Sequence, residues 1–181
     1  MPPATLKNKS LLDFSRSLAP NVVAFTSDRS ADFTLRPNQV HLTARQKNFL
    51  SAAVKVPVGQ FPIVRQIHGK RILAIQRKSC LTSFLGKADG FLTDRKCIPL
   101  SVRTADCLSV FVYDPERQAI GLIHAGWRGT KKGILASAVT MMKKKYGSRA
   151  KNLKVVLGPC IRSCCYEVGK DFRRFFPGSV L

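Results

Sequence analysis

Acidic residues are scarce in this chain. Its 181 residues include 10 Asp and Glu against 31 Lys and Arg, a formal net charge of +21, and no acidic residue lies between Arg117 and Arg162. Such a field attracts nucleic acid, phosphates and other anions, but says nothing about fold. No RRM, KH or helix-turn-helix signature is present, and aromatic residues are not interleaved with the basic run as base stacking requires. A solvated basic surface is the favoured interpretation, with nucleic acid and anionic substrates left open.

Long apolar runs are also absent. No run approaches the roughly 20 residues that a membrane helix needs, and the first residues lack the sustained apolar segment of a secretory signal. Six cysteines occur in a chain of ordinary apolar content, 45%, and two of them are adjacent, which favours reduced thiols over a disulfide framework. We therefore expect a cytoplasmic protein. The cysteines are Cys80, Cys97, Cys107, Cys160, Cys164 and Cys165.

Residue patterning predicts strands mixed with helices. Residues 1–20 are expected to be a loosely ordered lead-in, and residues 21–181 a single domain. Seven short segments rich in β-branched and aromatic residues are predicted strands: 21–26, 62–67, 71–75, 99–103, 108–113, 118–124 and 153–157. Helices are predicted over residues 43–54, capped by Thr43, and over 131–145, capped by Thr130 and ended by Gly147. This mixture with hairpins predicts an α+β fold.

Three residues with ligand chemistry lie at predicted strand ends. Among only three histidines, His41 lies in a polar stretch and is expected to be a surface or structural residue. His68 follows a strand and precedes glycine, His124 ends a strand before Ala125-Gly126, and Cys107 ends an irregular segment before a strand. Strand ends beside sharp turns are where a scaffold presents side chains into a cleft.

One hairpin brings two of these residues together. Asp114-Pro115-Glu116-Arg117 is a turn sequence. Cys107 lies as far before Asp114 as His124 lies after Arg117, and residues equidistant from an antiparallel turn face each other. This equal spacing from the turn predicts that Cys107 and His124 form a pair, whereas only the tertiary fold can bring His68 to them.

A thiolate and two imidazoles allow three interpretations. Zinc binds S and N ligands tetrahedrally, and three protein ligands leave the fourth position open, as in catalytic sites. A Cys–His nucleophile and base without metal is the second interpretation. A buried thiol with two ordinary core histidines is the third. Spacing alone leaves all three open.

Two further motifs suggest ligand contacts. Gly126, Gly129 and Gly133 permit a tight turn before a helix, where free N–H groups and the forked donor Arg128 would suit phosphate. Cys160 and Cys164 have a zinc-knuckle spacing but lack a second pair, so a loop that lines a ligand site is preferred to buried thiols.

Taken together, five motifs in this order resemble the YfiH/DUF152 family, long labelled multicopper polyphenol oxidase or laccase domain and more recently described as purine nucleoside phosphorylases. The resemblance covers about residues 62–176. The motifs are Gln66-Ile67-His68-Gly69, Ala88-Asp89-Gly90, Thr104-Ala105-Asp106-Cys107-Leu108, His124-Ala125-Gly126-Trp127-Arg128-Gly129, and Gly158-Pro159-Cys160-Ile161 with Cys164-Cys165-Tyr166-Glu167-Val168-Gly169.

The resemblance implies a layered α-β-β-α sandwich with mixed sheets, shared with bacterial toxin deamidases. It implies a zinc-dependent enzyme that cleaves adenosine, inosine and methylthioadenosine with phosphate and deaminates adenosine. His68, Cys107 and His124 would bind the zinc and serve catalysis. The substrate pocket would be lined by Gln66, Arg128, Cys160 and Cys164.

Two departures from the family pattern keep an alternative open. The family usually has an Arg-Gly-Gly turn after its first strand, and Phe25-Thr26-Ser27-Asp28-Arg29-Ser30 lacks its glycines. Relatives continue well past Val168-Gly169, so this chain is expected to lack C-terminal strands and to leave a sheet edge exposed. A shortened member, a fragment and an inactive member are all consistent with that. The alternative function is a basic nucleic-acid or anion-binding protein; a homo-oligomer also stays open. Copper is the less favoured metal, because three histidines are few for several copper centres.

Overall fold

The computed structural model describes residues 5–8, 11–31, 33, 42–54, 61–76 and 84–176. His41 and Cys80 lie outside these residues, so the prediction for His41 is not tested. The strands are β1 (Thr5–Asn8), β2 (Leu11–Asp13), β3 (Phe25–Ser27), β4 (Ile63–Arg65), β5 (Ile72–Ala74), β6 (Phe84–Lys87), β7 (Gly90–Thr93), β8 (Leu108–Asp114), β9 (Ala119–Ala125) and β10 (Lys154–Leu157). The helices are α1 (Ser15–Leu18), α2 (Ala44–Val54), α3 (Trp127–Lys131) and α4 (Ile134–Tyr146).

The strands form three sheets. The largest has five strands in the order β10-β8-β9-β7-β5, in which β5 and β7 are parallel and the other pairs antiparallel. β1, β2 and β3 form an antiparallel sheet, and β4 pairs with β6 in parallel. The predicted α+β class with mixed sheets is confirmed.

Both faces of the five-stranded sheet are covered. On one face, α4 packs Ile134, Ala138 and Met142 into a cluster with Val110 and Ile123. On the other face, the chain around α1 packs on Phe111 and Tyr113, while β4 and the segment after β7 pack around Phe91. Burial on both faces explains why β8 reads as a nearly continuous apolar run rather than an alternating one.

Helix α2 begins where the sequence predicted. The N–H of Gln46 donates to Thr43 Oγ1 at 3.3 Å, and the N–H of Thr43 donates to Gln46 Oε1 at 2.9 Å. This reciprocal pair is a capping box, which satisfies two amide groups that the first turn leaves free. Leu50 then packs against Phe61.

The predicted hairpin forms, but its register is displaced. β8 pairs with β9 so that Asp114 opposes Ala119 and Ser109 opposes His124. Asp114 Oδ1 accepts from the N–H groups of Glu116 and Arg117, and Gln118 has φ 50°, so the loop takes in two more residues than the predicted turn. A shift of two keeps every side chain on its face, and Cys107 and His124 become diagonal rather than direct neighbours.

The second predicted helix is two helices. Thr130 is not an N-cap, because α3 already contains it, and Gly133 at φ 76° separates α3 from α4. Only glycine adopts this left-handed conformation without strain. The predicted end is correct: Gly147, at φ 70°, donates its N–H to the Lys143 carbonyl.

Three other predictions differ from the structure. Within the expected lead-in, residues 11–20 form β2 and α1, and Phe14 and Leu18 are buried in the core. The strand predicted at 21–26 is β3, which begins only at Phe25. Residues 99–103 form no strand, because side chains rather than a backbone ladder bond them to the β4 segment. Within the described residues, no helix is long and apolar enough to span a membrane.

Candidate metal centre

The three predicted ligands meet at one end of the five-stranded sheet. His68 lies in the turn between β4 and β5, Cys107 directly precedes β8, and His124 lies near the end of β9. Their ligand atoms all lie within 4.8 Å of one another, and the two imidazole rings are nearly perpendicular, at 83°. Within the described residues, this is the one group of three such side chains close enough to share a metal ion.

A buried carboxylate holds both histidines. Asp89, 0% exposed, accepts hydrogen bonds from the N–H groups of Ile67 (3.1 Å) and His68 (2.8 Å) through Oδ1 and of Gly69 (2.8 Å) through Oδ2. These bonds support His68 at φ 54°, which is a strained conformation for a residue with a side chain. The same Oδ1 lies 3.1 Å from His124 Nδ1. One carboxylate therefore orients two of the three ligands.

The contact with Asp89 determines which His124 nitrogen can bind a metal. When Nδ1 donates its proton to the carboxylate, Nε2 carries a free lone pair, as in other carboxylate–histidine–metal arrangements. Burial lowers the pKa of His124, the hydrogen bond to Asp89 raises it, and the charges of His68 and Arg103 lower it further. The net direction is downward, which favours the neutral imidazole that metal coordination requires.

The surroundings of Cys107 disfavour a free thiolate. Burial raises the pKa of its thiol, and the negative charges of Asp106 and Asp89 raise it further. A protonated thiol is a poor nucleophile, which weakens the interpretation as a metal-free Cys–His pair. A divalent cation would supply the positive charge that this thiolate lacks.

Gly126 leaves room for the three side chains to converge. A Cβ at this position would lie 2.9 Å from His68 Cδ2, 3.1 Å from Cys107 Sγ and 3.6 Å from His124 Cε1. Its φ of −68° is open to any residue, so the requirement for glycine is one of space. The donor set and this cradle both fit a tetrahedral zinc ion.

Gln66 holds the segment that carries Cys107. Its Nε2 donates to the Arg103 carbonyl, and its Oε1 accepts from the Arg103 N–H, both at 2.8 Å. The amide thus has a structural contact at each end, and the predicted contact of Gln66 with substrate stays a prediction. The half-buried guanidinium of Arg103, which bonds to the Val64 carbonyl, was not foreseen as a positive charge beside His124.

Arg128 lies next to the centre but differs from its predicted setting. It is the second residue of α3 and is exposed, with its guanidinium 4.3 Å from the centroid of the Trp127 ring. Trp127 packs in turn against Phe172 and Phe175. A cation stacked on an anchored ring keeps its N–H donors exposed to solvent, two residues after Gly126.

The cysteine loop borders the Cys107 segment without joining the ligand set. The N–H of Ile161 donates to the Asp106 carbonyl at 2.9 Å, which places the loop alongside the residue before Cys107. Cys160 is half-buried, and Cys164 is exposed with its Sγ 3.4 Å from that of Cys165. Neither predicted substrate residue belongs to the metal cluster.

Sequence reasoning did not assign a role to Asp89, although its motif was noted. The available signal was a single acidic residue between Ala88 and the apolar run Gly90–Thr93. An Asp in such a buried setting needs several hydrogen-bond donors, and the His68 turn supplies three of them.

The raised thiol pKa predicts how metal affinity depends on pH. Because Cys107 must lose a proton on binding, zinc affinity will rise about tenfold per pH unit through the neutral range. Titration calorimetry in buffers of different ionisation enthalpy will show about one proton released per zinc. Cys107→Ser will abolish that release. A zinc affinity that does not change between about pH 6 and about pH 8 would contradict a thiol ligand.

The occupied Gln66 amide predicts a positioning role. Gln66→Ala will remove two backbone anchors, costing about 1–3 kcal/mol of stability in urea unfolding and weakening zinc binding. Gln66→Glu keeps the acceptor for the Arg103 N–H but sets a carboxylate oxygen against the Arg103 carbonyl, so it will also lose stability and zinc affinity. If Gln66 instead contacted a nucleoside, the KM for that nucleoside would rise while zinc affinity stayed unchanged.

Comparison with known proteins identifies relatives of this chain. The family model described as multi-copper polyphenol oxidoreductase laccase matches residues 33–180. Relatives named purine nucleoside phosphorylase include one from Aquifex aeolicus, 38% identical over 50% of this chain and 41% of that protein. Another, from Rickettsia conorii, is 29% identical over 83% of this chain and 60% of that protein. The chain thus spans less than two thirds of the length of these relatives.

Solved structures show the same fold. Bacillus licheniformis YfiH superposes on 100% of this chain, and on 73% of its own, with a TM-score of 0.83 and 27% identity. YlmD from Geobacillus stearothermophilus covers 76% of this chain and 55% of its own, with a TM-score of 0.69 and 27% identity. Because the family model spans most of the residues, the chain belongs to the multi-copper polyphenol oxidoreductase laccase family, which has the fold of the YfiH proteins.

Proposed function

We propose that this chain is a zinc-dependent purine nucleoside phosphorylase that also deaminates adenosine. The observation that carries the proposal is the convergence of His68, Cys107 and His124 within 4.8 Å beside a carboxylate that orients both histidines. Relatives that are purine nucleoside phosphorylases by name supply the substrate class. Phosphorolysis of adenosine, inosine or methylthioadenosine and hydrolytic deamination are the two reactions proposed.

The donor set favours zinc. One thiolate and two imidazoles leave a fourth tetrahedral position for water or substrate. Zinc, when bound, supplies Lewis acidity and lowers the pKa of a coordinated water to about 7. A single copper ion can also use two histidines and one cysteine, so metal identity is part of the proposal.

The surrounding residues have separate tasks. Asp89 holds the His124 proton on Nδ1, and Gln66 holds the Cys107 segment in place. The exposed Arg128 guanidinium, stacked on Trp127, would bind the substrate phosphate. The loop that carries Cys160 and Cys164 lies against the residue before Cys107, where it would border the nucleoside.

The test is turnover by protein loaded with one zinc per chain. Inosine with phosphate should yield hypoxanthine and ribose 1-phosphate, and adenosine without phosphate should yield inosine. His68→Ala should abolish both reactions while keeping the circular dichroism of the folded chain. No turnover by the zinc-loaded protein would reject the proposal, and turnover of inosine alone would remove its deaminase part.

A further inference from the structure

A second charged surface lies at the opposite end of the sheet from the metal centre. Lys154 pairs with Tyr113, Tyr113 with Ile120, and Ile120 with Thr93, so these residues form one row across four strands. The loops and turns next to this row contain most of the exposed cations of the acid-free region. We call their side chains the basic surface.

The basic surface contains eight exposed cations from three segments. They are Arg95, Lys96, Arg117, Lys143, Lys144, Lys145, Arg149 and Lys151. Three carboxylates occur in the same segments. Asp94 pairs with Arg95 at 3.4 Å, Asp114 is buried and caps the hairpin loop, and Glu116 is exposed. Most of the positive charge is therefore not neutralised by neighbours in these segments.

Contacts join the three segments into one surface. The Arg117 guanidinium lies 3.7 Å from the position of a Cβ on Gly147, which ties the hairpin loop to the end of α4. Burial and the charge of Asp94 raise the pKa of Tyr146, the charge of Arg95 partly offsets them, and the result is a pKa of about 12. Asp94 and Arg95 therefore lie near Tyr146, so the turn after β7 is beside the same helix end. Hairpin loop, turn and helix end thus face solvent together.

The distance from the metal centre separates the two sites. His124 lies four residue steps along β9 from Ile120, a span of about 13 Å, and the loops extend beyond that row. Charges more than about 8–10 Å apart are largely screened at physiological ionic strength. The basic surface is therefore too remote to hold a substrate phosphate at the metal centre.

We propose that the basic surface binds the phosphodiester backbone of a nucleic acid. Closely spaced exposed cations on several segments suit a regular row of phosphates, and such binding needs no base-reading motif. A membrane-binding surface normally adds exposed apolar anchors, and none of the exposed large hydrophobic residues belongs to these segments. This property is independent of the proposed enzyme activity.

The test measures binding of labelled RNA and DNA, single-stranded and duplex, by fluorescence anisotropy over a salt series. The full chain should bind with an affinity that falls linearly on a log–log salt plot. Replacing Lys143, Lys144 and Lys145 together by Gln should flatten the slope by about 2–3 units, because each phosphate contact contributes about 0.7–0.9. Gln keeps the helix propensity of Lys, so α4 should remain folded.

Matched variants decide between this surface and net charge alone. Arg45, Lys87 and Lys170 are exposed cations on other elements, and their triple Gln variant removes the same charge. It should keep the wild-type slope, and Cys107→Ser should keep the wild-type affinity. Three results would each overturn the proposal. They are equal losses of nucleic-acid affinity in both triple variants, a loss of that affinity in Cys107→Ser, and binding to phosphatidylserine vesicles without binding to nucleic acid.

Discussion

Asp89→Asn will lower zinc affinity about 10- to 100-fold, the usual effect of losing a residue that orients a metal ligand. The carboxylate accepts from three turn amides and from His124, whereas an amide has one oxygen and must turn an NH₂ group towards one of these donors. If the NH₂ faces His124, it donates to Nδ1 and favours the tautomer with a proton on Nε2. If it takes the place of Oδ2, it opposes the Gly69 N–H and weakens the turn that holds His68. Competition titration with a chromophoric chelator measures the effect.

Asp106→Asn is the matched control for that experiment. It removes the same charge beside the same centre, but the Asp106 carboxylate is exposed and acts on Cys107 through its charge. Its removal lowers the thiol pKa and should leave zinc affinity within about threefold of wild type, which is well below the loss expected on disrupting a ligand's orientation. Equal losses in the two variants would mean that Asp89 contributes only charge. Unchanged affinity in Asp89→Asn would contradict its orienting role.

Gly126→Ala will cause the second large loss. The added methyl group would overlap the His68 ring at 2.9 Å and the Cys107 sulfur at 3.1 Å, so both ligands must move from the common position. A shift of even a few tenths of an ångström departs from the narrow range of zinc bond lengths. We expect at least about a tenfold loss of zinc affinity and a smaller gain in thermal stability on adding zinc.

Gly121→Ala separates this effect from a general loss of packing. Gly121 lies on β9, the strand that carries His124, and its Cβ would meet the flexible end of Leu92 at 2.6 Å. A Cβ on Gly121 would lie on the opposite face of β9 from the His124 side chain. That is the face covered by α4, away from the three candidate ligands. This variant should change the free energy of unfolding while keeping zinc affinity. A metal affinity for Gly126→Ala equal to that of wild type would show that the cradle is not needed.

The sequence predicted that Cys107 and His124 lie close together, because strand ends and turns are local features, and their assignment as metal ligands stays a prediction. β8, β9 and the end of α4 follow from β-branched runs, an Asp-Pro turn and a terminal glycine. The hairpin register failed by two residues, because the Asp114 carboxylate and the left-handed Gln118 lengthen the loop. An error of two preserves the face, so the Cys107–His124 prediction was close despite the wrong register.

What the sequence could not show depends on contacts between distant segments. Asp89 reaches residues 21 and 35 positions away in the chain, and Gln66 reaches Arg103 across 37 positions. No local pattern encodes these partners. The break between α3 and α4 was missed because Lys131 and Lys132 continue the helical period, while Gly133 turns left-handed. The packing of α1 against Phe111 and Tyr113 is equally non-local.

The account depends on one metal ion shared by His68, Cys107 and His124. Zinc-edge X-ray absorption on the purified chain tests this directly. We predict one zinc per chain with one sulfur at about 2.3 Å and at least two nitrogens at about 2.0–2.1 Å, and loss of the sulfur signal in Cys107→Ser. A spectrum without sulfur, or the same stoichiometric zinc and the same spectrum in Cys107→Ser, would contradict it.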